Sequence, residues 1–433
     1  LPVSFANEFA GQIRLATQTG SGWALQTVYR QTDPIHNQLF YPVAAVRNGQ
    51  TTFAGVRATS TVDGNQNPTR TDFALVDVGA PAGLGAPPVS ARPPVPPPPP
   101  VAAPPAGPAA AAVAAKAAGP SGWAVALDAG PYASQVFVFR ADGSLAMSVT
   151  PYGNGYTGGV RFARADVTGD GVADLITVPK AGTEARVRVW DGVTAALVAD
   201  FAPFPGYSGG FYVAAGDTNG DGAADIVLGF DQLAVPAVLV YSGRGLGLIA
   251  AFAAYPAALP TGVRVAVGDI NRDGYADIVT TPAFPLPLVS TFDGKSLALG
   301  LGPQKLSEFF FYPPQFGLGV NVAVGDVDGD GYADIVGGPD VGPAHLRVLS
   351  GRALAVGQET DLVNTVLWSG TGTGMRFAVT DADGDGKADV MVATPAFGAS
   401  VGMVGGSGLR AGAPAVTQWF SPLPGVTTAI FVG

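Results

Sequence analysis

From residue 122 onward, short apolar stretches and polar turns alternate along the chain at a fixed period. Val263-Arg264-Val265-Ala266-Val267-Gly268 and Val320-Asn321-Val322-Ala323-Val324-Gly325 place apolar residues at every second position, as half-buried strands do. Each runs into a loop dense in Asp and Gly. An unbroken apolar run follows, such as Ala224-Asp225-Ile226-Val227-Leu228, the pattern of a strand covered on both faces. A third strand ending in Gly comes about 25 residues after each loop begins, at 187–192, 238–243, 289–294 and 346–351, with a degenerate copy at 403–406. A fourth strand then leads into a link rich in aromatic residues and proline. The loops begin at Asp166, Asp217, Asp269, Asp326 and Asp381, with spacings of 51, 52, 57 and 55 residues. Four strands per repeat at this period predict an all-β fold, a β-propeller.

The two ends of this region complement each other. Residues 123–152 contain a third-strand match, Val136-Phe137-Val138-Phe139-Arg140-Ala141-Asp142-Gly143, with no acidic loop before it. The last residues, Gly425 to Gly433, resemble a first strand that stops where the next Asp would come. Strand 425–432 is therefore expected beside strand 122–128, closing six four-stranded blades of which one is shared between the termini. Closure also removes exposed sheet edges.

The preceding residues divide in two. Residues 1–79 contain strand-like stretches such as Trp23-Ala24-Leu25-Gln26-Thr27-Val28-Tyr29, and predict a small β-rich domain or its remnant with no recognisable chemistry. Residues 80–121 hold 14 prolines, including the run 96–100, and read as a semi-rigid Pro/Ala-rich linker. The propeller occupies 122–433. A chain that starts at Leu1 rather than Met is expected to be a processed product or a segment of a longer protein.

The acidic loops carry the chemistry. In the fourth, Asp326, Asp328 and Asp330 alternate, Gly331 permits a sharp turn, and Asp334 follows the carbonyl of Tyr332. A hard divalent ion takes six to eight oxygens at about 2.3–2.6 Å, and a loop of this kind supplies them. The order matches the start of a helix–loop–helix calcium site. Gly337 stands where that motif has its final Glu, however, and Ile335-Val336 open a strand, so the loop joins two strands. The five loops hold 17 of the 33 acidic residues of a chain whose net charge is −10, so five divalent cations would bring it to about zero.

Composition narrows the rest. With 61 Gly, 38 Pro and 13% charged residues, the 433-residue chain is turn-rich and weakly charged. The absence of Cys excludes disulfides, thiolate metal sites and a cysteine nucleophile. The acidic balance argues against a nucleic-acid surface, and no apolar run is long enough for a membrane-spanning helix.

The repeat, with its Gly-Val-x-Val-Ala-Val-Gly strand, acidic loop, Ala-Asp-Ile-Val strand and Gly-Pro or Thr-Pro turn, resembles the FG-GAP (integrin α-chain) β-propeller family in a bacterial secreted form. The resemblance covers about 122–433. It implies a propeller stabilised by about five Ca²⁺ ions, outside the cell or at its surface, used for adhesion or as an accessory module of secreted enzymes. The six blades expected here depart from the seven of integrin propellers.

Cation ligands carry over loop by loop. They are Asp166, Thr168, Asp170, Val172 and Asp174 in the first loop, and Asp217, Asn219, Asp221, Ala223 and Asp225 in the second. The third offers Asp269, Asn271, Asp273, Tyr275 and Asp277, and the fifth Asp381, Asp383, Asp385, Lys387 and Asp389. The seventh position of each loop acts through its carbonyl. Thr168 makes the first loop the weakest site.

Function is expected to be binding rather than catalysis, with a glycan or an extracellular protein as ligand. Tyr152, Tyr207, Tyr255, Tyr312, Trp368 and Trp419 in the interblade links are candidate contacts, although most such aromatics pack between blades as core. The alternatives are a propeller-type secreted lyase or hydrolase, and a purely architectural surface module. His345, the one histidine of the propeller region, belongs to no catalytic motif.

Overall fold

The computed structural model describes the backbone of residues 12–19, 22–30, 38–47, 50–62 and 68–77. It also describes residues 122–433 apart from 129–133, 232–235, 257–258, 260, 317, 369–373, 383–387, 394–399, 411–413 and 421–429. The chain forms two compact units, Leu1–Ala109 and Ala110–Gly433. In the first, Gln12–Thr19 pairs antiparallel with Gly22–Arg30, and Gln38–Arg47, Gln50–Val62 and Pro68–Asp77 form a three-stranded antiparallel sheet. The proline-rich stretch 80–121 lies outside the described residues.

The second unit is a six-bladed β-propeller of four-stranded antiparallel sheets. Blade II shows the plan, with Val160–Ala165, Asp174–Pro179, Val187–Trp190 and Leu197–Phe201 side by side in chain order. Blades III to VI begin with the inner strands Phe211–Gly216, Val263–Gly268, Val320–Gly325 and Arg376–Thr380. Blade I is built from both ends. Ile430–Val432 pairs with Gly122–Leu127 in the register Ile430 to Leu127, Phe431 to Ala126 and Val432 to Val125, and Val136–Arg140 and Leu145–Val149 complete the sheet. This is the expected closure, seen over the last three residues of the strand predicted at 425–432; residues 425–429 lie outside the described residues.

Burial follows the sequence pattern outward. The unbroken apolar runs form the second strands, and Asp174–Pro179, Asp225–Phe230, Asp277–Pro282 and Asp334–Pro339 are buried at every position. Third strands such as Val187–Trp190 alternate, and fourth strands such as Lys305–Phe310 are largely exposed, with Lys305 and Glu308 on that edge. Charges there discourage pairing with another sheet. The core is divided rather than single. Among the described residues it forms six clusters, each drawn from two neighbouring blades, as where Ile270 and Phe311 of blade IV meet Ile335 and Leu349 of blade V. Each fully buried Ile or Leu contributes about 1.5–3 kcal/mol, so every blade depends on both its neighbours.

Inner strands must approach closely to close so small a ring. A Cβ on Gly216, Gly268 or Gly325 would stand 2.4–2.5 Å from a γ-carbon of Val267, Val324 or Val379 on the next blade, which accounts for the Gly before the Asp in the repeat.

At the opposite end of these strands, side chains from all six blades form a circlet. Arg161 of blade II stacks over Tyr212 of blade III at 3.7 Å and faces Phe431 of blade I at 5.8 Å. Arg264 of blade IV lies 5.6 Å from the same Tyr212 ring, and Arg376 of blade VI lies 5.9 Å from Phe431. Asn321 of blade V donates to Asp340, which also pairs with Arg264 (2.9 Å) and Arg376 (3.0 Å), while Asp231 pairs with Arg161 (3.0 Å).

Candidate functional site

Each acidic loop spans the tight end of the hairpin between a first and a second strand. Pairing continues to the residue before the first Asp and to the last Asp, as in Gly216 with Asp225, Gly268 with Asp277 and Gly325 with Asp334. The turn needs left-handed backbone at its fourth residue, where Gly169, Gly220 and Gly329 have φ of 76, 74 and 78°; the third loop has Arg272 there at 58°.

The carboxylates are oriented by the loop's own amides. Asp217 accepts from Gly220 (2.7 Å), Asp221 (3.0 Å) and Gly222 (2.8 Å), and Asp326 accepts from Gly329, Asp330 and Gly331 at 2.7–3.1 Å. Asp166 and Asp269 are held in the same way. At the third position Asn219, Asn271 and Asp328 accept from the amide two residues on, and at the fifth Asp170, Asp221, Asp273 and Asp330 do likewise. Arg244 pairs with Asp221 (3.2 Å) and Lys295 with Asp273 (3.6 Å), cations from the turn after the third strand that no motif indicated. Thr168 offers no carboxylate, and its amide donates to Asp174 (2.8 Å). In the fifth loop Asp383, Asp385 and Lys387 lie outside the described residues.

The last Asp of each loop has a second role. Asp334 takes the Val327 amide on Oδ2 (3.0 Å) and the Gly351 amide on Oδ1 (2.9 Å), so one carboxylate ties its loop to the end of the third strand. Asp174 does this with Val167 and Gly192, Asp277 with Ile270 and Gly294, and Asp389 with Ala382 and Gly406. Asp225 bonds Gly243 and adds the Thr218 hydroxyl. These contacts explain the Gly after the third strand in blades II to VI. A Cβ on Gly192, Gly243, Gly294, Gly351 or Gly406 would fall 2.1–2.4 Å from the carbonyl oxygen of the Ala preceding that Asp. The loops are also joined to one another, since the amides of Ala224, Ala276 and Ala333 donate to the carbonyls of Asp166, Asp217 and Asp269 in the preceding blade at 2.8–2.9 Å.

The donor set suits a hard cation. Asp326, Asp328 and Asp334 bring carboxylate oxygens within 4.8 Å of one another, and the other candidate ligands are likewise oxygens, from carboxylates, Asn amides, the Thr168 hydroxyl and backbone carbonyls. Asp334 and Asp277 are fully buried, and burial pushes both carboxyls up to about 7, aided by the neighbouring Asp326 and Asp328 in one case and Asp269 in the other. Burial raises Asp174 and Asp225 as well. A cation beside these groups would favour their charged form.

The link aromatics divide by environment. Tyr255 is buried and donates to the Thr280 carbonyl (2.7 Å), Tyr152 donates to the carbonyls of Thr177 and Arg186 in blade II, and Tyr207 packs on Phe204, Phe211 and Phe230. These three knit blades together. Trp419 is 46% exposed on the outer strand Val416–Phe420. Trp368 ends the outer strand of blade V, Asp361–Trp368, and its side chain lies outside the described residues. Tyr312 differs, because its hydroxyl meets Nδ1 of His345 at 2.8 Å in a cleft of about 520 Å³ lined by Phe310, Phe311, Pro313, Arg347 and Asn364. No motif joins Tyr312 to His345; only the packing of the blade IV link on blade V does.

Comparison with known proteins agrees with this architecture. Residues 261–296, spanning the third acidic loop, match the FG-GAP repeat. Integrin alpha-V of Gallus gallus is 26% identical over 237 residues, covering 48% of this chain and 22% of that protein. Integrin alpha-8 of Gallus gallus is 30% identical over 217 residues, covering 45% and 20%. The chain thus spans about a fifth of the length of these relatives. They are animal proteins, and the bacterial secreted form expected from the repeat finds no support in them. Solved structures align loosely. A rhamnogalacturonan lyase, YesW, is 11% identical with a TM-score of 0.37, covering 88% of this chain and 64% of its own. A functionally unknown protein from Desulfotomaculum acetoxidans is 15% identical with a TM-score of 0.43, covering 69% and 80%. Overlays at this level carry no argument about activity. Repeat, relatives and ring agree: residues 122–433 form a six-bladed β-propeller that contains an FG-GAP repeat and is similar to integrin α chains.

Proposed function

We propose that this propeller is a calcium-stabilised extracellular binding module for a glycan or protein ligand, without catalysis of its own. The observation that carries the reading is the equivalence of the loops. Each described one sits at the same place in its blade, orients its first carboxylate by its own amides, and buries its last as a latch. A catalytic ion needs an open coordination position and a neighbouring acid or base, whereas these loops repeat around the ring as parts of its frame. Bound calcium would supply positive charge to carboxylates that burial otherwise disfavours. Asp326, Asp328, Asp330 and Asp334, with the Tyr332 carbonyl, would hold it in the fourth loop, and the corresponding residues in the others. Extracellular calcium modules work at about 10⁻⁴–10⁻³ M, which fits the integrin relatives.

The test is thermal unfolding of the purified chain in millimolar calcium and in excess EDTA, with direct counting of bound calcium. A markedly lower midpoint in EDTA, with about five ions bound in calcium, is the expected result; an unchanged melt would sink the scaffold role. The rival reading is a secreted carbohydrate-active enzyme, and His345 and Tyr312, bonded to each other in a cleft, are a pair on which it could draw. Depolymerisation of a polysaccharide, abolished by His345→Ala, would overturn the non-catalytic reading.

A further inference from the structure

The cleft between blades IV and V has the chemistry of a sugar subsite. Its two sides come from different blades. Phe310, at the end of the outer strand of blade IV, is 43% exposed and offers an apolar ring face. Opposite, on blade V, His345 and Arg347 stand two apart on one face of Ala344–Leu349, and Asn364 of the neighbouring strand pairs with Arg347. Tyr312 closes the base through its bond to His345 Nδ1.

The polar groups are fixed in place and electrically quiet. Asp361 accepts from Arg347 Nε (2.7 Å) and from Asn364 Nδ2 (2.7 Å), so one carboxylate orients both side chains and offsets the guanidinium charge. Arg347 also donates to the Phe311 carbonyl, which anchors it across the blade boundary. Burial holds the His345 imidazole below its ordinary pKa, keeping it uncharged near neutral pH. What remains is an aromatic face on one side and neutral hydrogen-bonding groups on the other. Ligand sites are commonly apolar clefts of about 300–1,000 Å³ with a few convergent polar groups, and this one measures about 520 Å³.

We propose that this cleft binds one neutral pyranose ring of a glycan, its C–H face on Phe310 and its hydroxyl edge toward His345 and Asn364. A sugar ring has one apolar face and a hydroxyl rim, and this pairing of surfaces matches both. An acidic sugar is disfavoured because the one cation lining the cleft already faces Asp361. A charged peptide segment would seek an unpaired ion, whereas Arg347 in this cleft is already paired with Asp361. The inference rests on the binding-module reading and narrows it to one ligand class and one place.

The experiment uses the full chain in millimolar calcium, with saturation-transfer NMR and titration calorimetry against neutral hexose and 6-deoxyhexose oligosaccharides and against uronic-acid oligosaccharides. Wild type should bind a neutral oligosaccharide. Phe310→Ala should weaken that binding about tenfold, the loss of one aromatic stacking contact. Asn364→Ala should weaken it several-fold, and Leu248→Ala, an exposed residue on blade III, should leave it unchanged. Melting curves of each variant, with calcium and with EDTA, separate loss of the cleft from loss of the fold. Equal binding by wild type, Phe310→Ala and Asn364→Ala would overturn the cleft and leave the calcium frame standing. Binding only to uronic-acid oligosaccharides, or to no oligosaccharide at all, would overturn the neutral-sugar assignment.

Discussion

Gly294→Ala isolates the contact that locks a loop to its blade. Gly294 opens a short helix, Gly294–Ala298, and its φ is not positive, so helix propensity alone predicts that Ala would stabilise by up to about 1 kcal/mol. The surroundings reverse that sign. The added Cβ would lie 2.1 Å from the Ala276 carbonyl oxygen, over 1 Å inside ordinary van der Waals contact. Moving the strand end away to relieve it stretches the bond from the Gly294 amide to Asp277 Oδ1, now 3.1 Å. Overpacking of this kind costs about 1–3 kcal/mol. Weakening a hydrogen bond to a buried carboxylate costs about 1.5–3 more. Net of the propensity gain, the variant should lose about 1.5–5 kcal/mol. Urea unfolding in saturating calcium, followed by tryptophan fluorescence, would read this as a lower midpoint. Gly155→Ala is the control, because nothing lies within 4 Å of its added Cβ and its φ is not positive. A Gly294→Ala protein as stable as wild type would refute the latch.

Two further perturbations probe other parts of the frame. Tyr255→Phe removes the donor to the buried Thr280 carbonyl and should destabilise by about 1–2 kcal/mol in the same assay, with no change in calcium stoichiometry. Asp340 reports on the circlet: burial pushes its carboxyl up, but Arg264 and Arg376 outweigh that and hold it below the ordinary carboxylate value. A depressed folded pKa stabilises above the unfolded value of about 3.9 and is lost as pH falls through the folded one. The urea-midpoint difference between wild type and Asp340→Asn should therefore be full near pH 5–6 and shrink below about pH 4. A difference independent of pH would remove the ion pairs from the account.

Much of the fold is legible because its signals are local. Ile226-Val227-Leu228 announces a strand covered on both sides, five phased loops set the blade count, and the unpaired strand at each end of the repeat region fixes the closure. The loops' candidate ligands are legible for the same reason. What escapes is whatever depends on strands folding back beside one another within a blade, or on one blade meeting the next. Asp334 is recognisable as an acidic position, but its bond to Gly351 exists only once the third strand folds back beside the loop. Tyr312 and His345 are 33 residues apart in different blades, and Arg161 and Tyr212 are 51 apart; no spacing rule joins either pair. Arg244 and Lys295 likewise look like ordinary turn cations until the blade brings them to Asp221 and Asp273.

The circlet of Arg161, Arg264 and Arg376 lies at one end of the inner strands and the acidic loops at the other. Arg264 and Asp269 are five residues apart, about 16 Å along an extended strand. The propeller is therefore electrically asymmetric along its own axis: the loops gather carboxylates at one mouth, while at the other Asp231 and Asp340 offset most of the charge of the three arginines. Filling the loops with divalent ions would quench only the acidic pole, so calcium concentration would set the strength of this asymmetry. At low calcium the molecule should turn its loop face away from an anionic surface, and at high calcium that preference should fade. Salt will screen the effect over about 8–10 Å at physiological ionic strength. Ions that stiffened the ring by binding in its loops would then also set how it faces a charged matrix.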